Sequence, residues 1–75
     1  MDNEEIYDLT MMMERFIDED MEQIDIMAEL LTIAQEANLN SGYNRFRVGN
    51  GTYTLDELKE IQELEKQDVL FRQNQ

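Results

Sequence analysis

All the backbone punctuation of this chain falls in one short window. Its three glycines are Gly42, Gly49 and Gly51, and it contains no proline. Nothing before Gly42 or after Gly51 carries the conformational freedom or the missing amide that interrupts a helix. Two helical stretches joined by a turn-rich middle are what this distribution leaves.

Residues 3–38 read as helical, being rich in Glu, Met, Leu, Ala and Gln. Glu4, Glu5 and Asp8 suit the positive end of the helix dipole. Ile6, Leu9, Met13, Phe16, Ile17, Ile24, Met27, Leu31 and Ala34 recur at steps of three and four, which lines them up on one stripe. Asp20 falls inside that stripe. Either the helix breaks near residues 18–20, with one Asp capping a second helix, or Asp20 lies where the stripe meets solvent. Asp is a good N-cap and a poor core residue, and we favour the break.

The segment "NLNSGYN", 38–44, ends the helix, because Asn and Gly tolerate the left-handed conformation. Turn and hairpin occupy 39–54. Arg45-Phe46-Arg47-Val48 and Thr52-Tyr53-Thr54 alternate about Gly49-Asn50-Gly51, and Asn-Gly is a strong hairpin signal. Phe46 and Val48 are placed to cover one end of the helical core. Thr54-Leu55-Asp56-Glu57 is a capping box, so a further helix spans 55–71, with a frayed tail at 72–75. Leu55, Leu58, Ile61, Leu64 and Val69 form its apolar side. The expected fold is mainly α: a long acidic N-terminal helix, broken or continuous near 18–20, a short β-hairpin and a C-terminal helix, in a single small domain.

A 75-residue chain buries a modest core. With no Cys it has no disulfide to staple it, so oligomerisation is the expected help, and a homodimer the expected state. Met11-Met12-Met13 agrees, since Met13 lies on the stripe while Met11 and Met12 reach past it, and methionine adapts to interfaces. Tyr7, Tyr43 and Tyr53 are expected at the rim or in the core. No apolar run is long enough to span a membrane, and the acidic start is unlike a signal peptide; a cytoplasmic protein is expected.

Eighteen acids against six bases give a net charge of −12. Residues 1–37 hold twelve of the acids and one base, Arg15. On a helical wheel Glu14, Asp18, Glu22, Asp25, Glu29 and Glu36 share the face opposite the stripe. Like charges at such spacings oppose the helix, and few bases relieve them. Solubility alone is the plain explanation for an acidic face, but a face kept only for solubility normally mixes signs. A row of carboxylates every several ångströms also resembles the phosphates of a nucleic-acid strand. Its partner would be a protein built to hold DNA, and binding would be salt-sensitive.

Near the other end stands "QDVLF", 67–71. A regular helix turns Leu70 and Phe71 away from the face of Leu58 and Ile61. They serve either as an exposed anchor or, folded back, as core or dimer seam. The stretch resembles the short peptide by which many bacterial proteins dock on the DNA polymerase sliding clamp: Gln67, Leu70 and Phe71 match it, while Asp68 and Val69 depart from it. The small acidic chain as a whole resembles phage-encoded inhibitors of host replication or transcription proteins, in particular the small clamp inhibitors of Twort-like staphylococcal phages. That resemblance implies a host sliding clamp as partner, met through its positively charged channel by the acidic helix or at its peptide pocket by Gln67, Leu70 and Phe71.

Catalysis is not expected. The chain has no His or Cys to serve as base or nucleophile, and Gly49-Asn50-Gly51 is a turn, not a phosphate cradle. Glu19-x-x-Glu22 and Glu65-x-x-Asp68 are similar to the carboxylate pairs of helical nucleotide pyrophosphatases, but they lie too far apart in the chain. No cofactor or metal is expected. Arg45 and Arg47 are too few to hold nucleic acid beside so acidic a helix. Two other readings stay open: an acidic mimic inhibiting a nucleoid-associated protein or RNA polymerase, and a structural or assembly module whose charge keeps it soluble.

Overall fold

The computed structural model describes residues 5–73. The elements run β1 (Ile6–Asp8), α1 (Thr10–Asp18), α2 (Gln23–Ser41), β2 (Arg45–Val48), β3 (Gly51–Thr54) and α3 (Leu55–Gln73). The fold is mainly helical, with a hairpin and a C-terminal helix as expected. The strands form one sheet in the order β1-β2-β3, with β1 parallel to β2 and β2 antiparallel to β3.

The first correction concerns residues 6–8, a strand and not the first turns of a helix. Ile6, Tyr7 and Asp8 pair with Arg45, Phe46 and Arg47. Tyr7 thereby lies on the inner face, its ring 5.1 Å from Tyr43 and 6.3 Å from Phe46. Ile6, a member of the expected apolar stripe, points outward and is half exposed. Strand pairing and aromatic packing outweigh a helix preference worth a few tenths of a kcal/mol per residue, on the order of the scale's own spread. The strand then hands over to α1 through an Asx turn: Asp8 Oδ1 accepts the Thr10 amide at 2.8 Å. Residues 3–4, where the predicted helix begins, lie outside the described residues.

The second correction settles the break. The chain leaves helix at Glu19 and resumes it at Gln23. Asp20 sits at φ 60°, its amide donates to the carbonyl of Ile17, and the Met21 amide donates to that of Phe16. This is a Schellman closure with Asp20 in the left-handed position that glycine normally takes. The Asp therefore ends the first helix and does not cap the second; α2 starts at an extended Glu22 with no side-chain cap. A β-carbon is disfavoured there, so Asp20→Gly should stabilise the fold by about 0.5–1 kcal/mol. Asp20→Asn, which removes the same charge, separates backbone relief from charge relief; urea titrations of both variants give the comparison. Asp20→Gly no more stable than Asp20→Asn would contradict the strain.

Helix α2 runs to Ser41, three residues beyond the expected 38, and Gly42 closes it at φ 75° with its amide on the Asn38 carbonyl. Residues 39–41 thus belong to the helix, not to the turn. In the hairpin, Val48 pairs with Gly51, leaving Gly49 and Asn50 as the two loop residues. Positive φ falls on Gly49, at 63°, the pattern of a type II′ turn. The Asn50-Gly51 pair is thus not the turn centre; Gly51 opens β3. The Gly49 amide donates to Thr10 Oγ1 at 3.0 Å, tying the hairpin to the start of α1.

The predicted capping box is formed. The Thr54 amide donates to Glu57 Oε1 at 2.9 Å, and the Glu57 amide donates to Thr54 Oγ1 at 3.2 Å. Thr54→Ala should cost about 1 kcal/mol, read from the thermal midpoint. A loss near zero would mean that the cap is dispensable. Helix α3 continues to Gln73, past the expected 71; residues 74–75 of the expected tail lie outside the described residues.

The core is Leu9, Ile26, Leu30, Leu31, Ala34, Phe46 and Leu58, with Tyr7, Phe16, Met27 and Tyr53 among the residues packed around it. It lies between the inner face of the sheet and the α2–α3 pair. Both Ile26 and Leu30 fall off the single stripe traced over 3–38, because the break resets the helical phase. No helix among the described residues is long and apolar enough to cross a membrane.

Candidate functional site

The chain break also divides the acidic column. Glu14 and Asp18 stand on α1, Glu22 on the connection, and Asp25, Glu29 and Glu36 on α2. All six are exposed. They do not form one row on one helix, which corrects the single-helix picture. The regular part of the row is on α2, where steps of four and seven residues give roughly 6 and 10 Å along the axis.

Among the described residues the acids of the column are also free of cations. Among the described residues the ion pairs are Arg15–Glu19 at 3.7 Å, Lys66–Glu63 at 4.0 Å and Arg72–Asp68, each within one helix or at its end, and exposed. Such pairs contribute little. None of them touches Glu14, Asp18, Glu22, Asp25, Glu29 or Glu36. Among the described residues no charged side chain is buried. Among the described residues the negative field of the α1–α2 side is thus uncompensated by local pairing.

Arg45 and Arg47 stand on the outer face of β2, opposite Thr54 and Thr52 of β3. On the other side Asp8 neighbours Arg47 in register. The amide and hydroxyl of Thr10 hold the Asp8 carboxyl below its usual range, with the Arg47 charge adding to them. A lowered pKa means that this contribution to stability is present above the ordinary carboxylate range and is lost as pH falls through the depressed value. The carboxylate is exposed and its role is local, holding the β1–α1 turn.

The residues of the C-terminal motif lie on the last turns of α3. Gln67 is exposed, and Leu70 and Phe71 are 59% and 65% exposed. Neither apolar side chain folds back on the core. Core packing instead uses Leu55 and Leu58; Val69 is partly buried without joining that cluster, and Leu64, expected on the same side, is 64% exposed. Gln23 Nε2 donates to Glu65 Oε1 at 2.9 Å, so the first residue of α2 is level with Glu65. The following turns of α3, with Gln67, Leu70 and Phe71, run on past the start of α2. The fold therefore brings Gln67, Leu70 and Phe71 and the acidic α1–α2 connection to the same end of an elongated body of 49 × 25 × 21 Å.

Periodicity did not reveal one further surface. Met13, Ile17, Met21, Gln23, Ile26 and Met27 line an open groove of about 430 Å³ between α1 and α2. Three of them, Met13, Ile17 and Met27, belong to the expected core stripe. The turn at 19–22 folds α1 back on α2, and the sheet and α3 cover the α2 face only in part. The signal in the sequence is the clustering of three methionines, 13, 21 and 27, around the expected break.

Among the described residues no group of three or more acidic, His or Cys side chains is arranged to hold a metal ion. Compared with known families, with curated proteins and with solved structures, the chain matches none of them.

Proposed function

We propose that this chain is a non-enzymatic inhibitor that offers carboxylates in place of DNA phosphates to a basic DNA-handling protein, the DNA polymerase sliding clamp first. Occupying the clamp blocks DNA loading and replication without chemistry. The observation that carries the reading is the set of six exposed carboxylates on α1, α2 and their connection, none of them in an ion pair among the described residues. Leaving them unpaired costs stability through self-repulsion, and a basic channel recovers it on binding. Support for the clamp in particular comes from Gln67, Leu70 and Phe71, presented outward at the same end.

Calorimetry with purified clamp tests it. Saturable heat that weakens steeply with salt is expected, and no heat at roughly tens of micromolar, above the range of useful affinity, ends the clamp reading. The homodimer belongs to the same proposal. Its seam would be Met11 and Met12 on α1, large apolar side chains that the core leaves exposed and that lie outside the clamp anchor. Sedimentation equilibrium distinguishes the 9.0 kDa chain from twice that mass.

A further inference from the structure

The α1–α2 groove joins two chemistries that the inhibitor reading does not use together. Its lining is apolar and adaptable: three of the six side chains are methionine, an unbranched, polarisable thioether that repacks around irregular shapes. Its floor is reachable, since Ile17 is 54% exposed while Met13, Met21 and Met27 are half-buried. A volume of about 430 Å³ holds one or two bulky side chains and not a folded element.

Its borders are acidic on both helices. Residues three and four apart are surface neighbours on a helix. Glu14 stands three residues before Ile17; Glu22 stands four before Ile26 and Glu29 three after it. Arg15, the one base of residues 1–37, is paired with Glu19.

Charge selects the occupant. A second copy of the chain brings its own −12 against these acids. Nucleic acid is repelled by them. A neutral apolar ligand leaves the border unused. An apolar stripe flanked by cations satisfies floor and border at once, by the helix-in-groove mode of recognition. We infer that the groove between α1 and α2 takes the apolar side chains of a cationic amphipathic helix of a partner protein, the helix itself lying across its mouth. One or two of its bulky apolar side chains seat on Met13, Ile17, Met21 and Met27, and its Lys or Arg side chains meet Glu14, Glu22 and Glu29. This surface goes beyond the clamp reading and stands without it.

The test uses the full chain labelled with ¹³C at the methionine methyls. The probe is a synthetic Leu/Lys peptide of helical periodicity, roughly 18 residues so that it holds a helix. A peptide of the same length and charge, with Ser in place of Leu, is the control. The resonances of Met13, Met21 and Met27 should move saturably, while that of Met11, 82% exposed and outside the groove, stays in place. Ile17→Gln, at an exposed position that keeps the fold, should weaken binding roughly tenfold, the loss of one seated side-chain contact. Glu14→Gln with Glu22→Gln should flatten the salt dependence. Equal affinity for the Ser peptide, unchanged affinity of Ile17→Gln, or shifts at Met11 as large as those in the groove would each overturn the groove in favour of diffuse charge attraction. No clamp is present, so this outcome and that of the clamp calorimetry are independent.

Discussion

Phe46→Ala should remove about 3–5 kcal/mol of stability, the cost of emptying a large aromatic site in a close-packed core. A chain of 75 residues has on the order of 4–11 kcal/mol in total, so much of the population is expected to unfold near physiological temperature. Position explains this weight. Phe46 stands on the inner face of the central strand and is fully buried. Tyr7 and Tyr53 flank it in register on the two outer strands. It shares its buried cluster with Leu9, Leu30 and Leu58, which come from the β1–α1 junction, α2 and α3. One ring therefore joins every layer of the fold. Urea unfolding followed by circular dichroism measures the effect. Leu39→Ala, at a position 83% exposed, is the control and should stay within about 0.5 kcal/mol. A Phe46→Ala loss no larger than that of the control would mean that the sheet is not part of the core.

Reversing Asp18, Glu22 and Asp25 to Lys together should abolish clamp binding if the acidic side enters a basic channel. The three reversals remove half of the net charge of −12 and place cations on the surface that would face the channel wall. Each like-charge contact so created opposes association, and the loss should appear chiefly as a slower on-rate and a collapsed salt dependence. All three residues are exposed, so the fold should survive. The expected cost comes from Asp25→Lys, which puts a cation in the first turn of α2, about 0.3–1 kcal/mol against the helix dipole. Leu70→Ala with Phe71→Ala is the complementary variant. If the anchor takes the clamp's peptide pocket instead, this pair abolishes binding and the charge reversals change little. Retained binding by both variants would leave the inhibitor reading without a surface.

How far these features were legible depends on the range of the interaction behind each. The capping box at Thr54 and Glu57, the left-handed stop at Gly42 and the exposure of Leu70 and Phe71 all follow from contacts within a few residues or from helical phase. The break in the acidic helix was also local, although its residue role was not: Asp20 serves the end of α1 instead of capping α2. Helix phase does not carry across that break, so periodicity counted from α1 leaves Ile26 and Leu30 off the core stripe; Ile17, before the break, is on the stripe but faces the open α1–α2 groove.

Residues 6–8 mark the boundary. Ile6, Leu9 and Met13 recur at helical spacing, while Ile6 to Leu9 also fit an extended strand, and no short-range term decides between these patterns. The decision belongs to β2, nearly forty residues later in the chain, which supplies hydrogen bonds for β1 and an aromatic surface for Tyr7. The same holds for the groove and for the meeting of the acids with Leu70 and Phe71 at one end. Local propensity and periodicity set which stretches coil and which turn, because those energies act over a few residues. The direction in which α1 folds back, the strand that precedes it and the surfaces left uncovered came from long-range pairing and burial, whose energies exist only once distant segments are in contact.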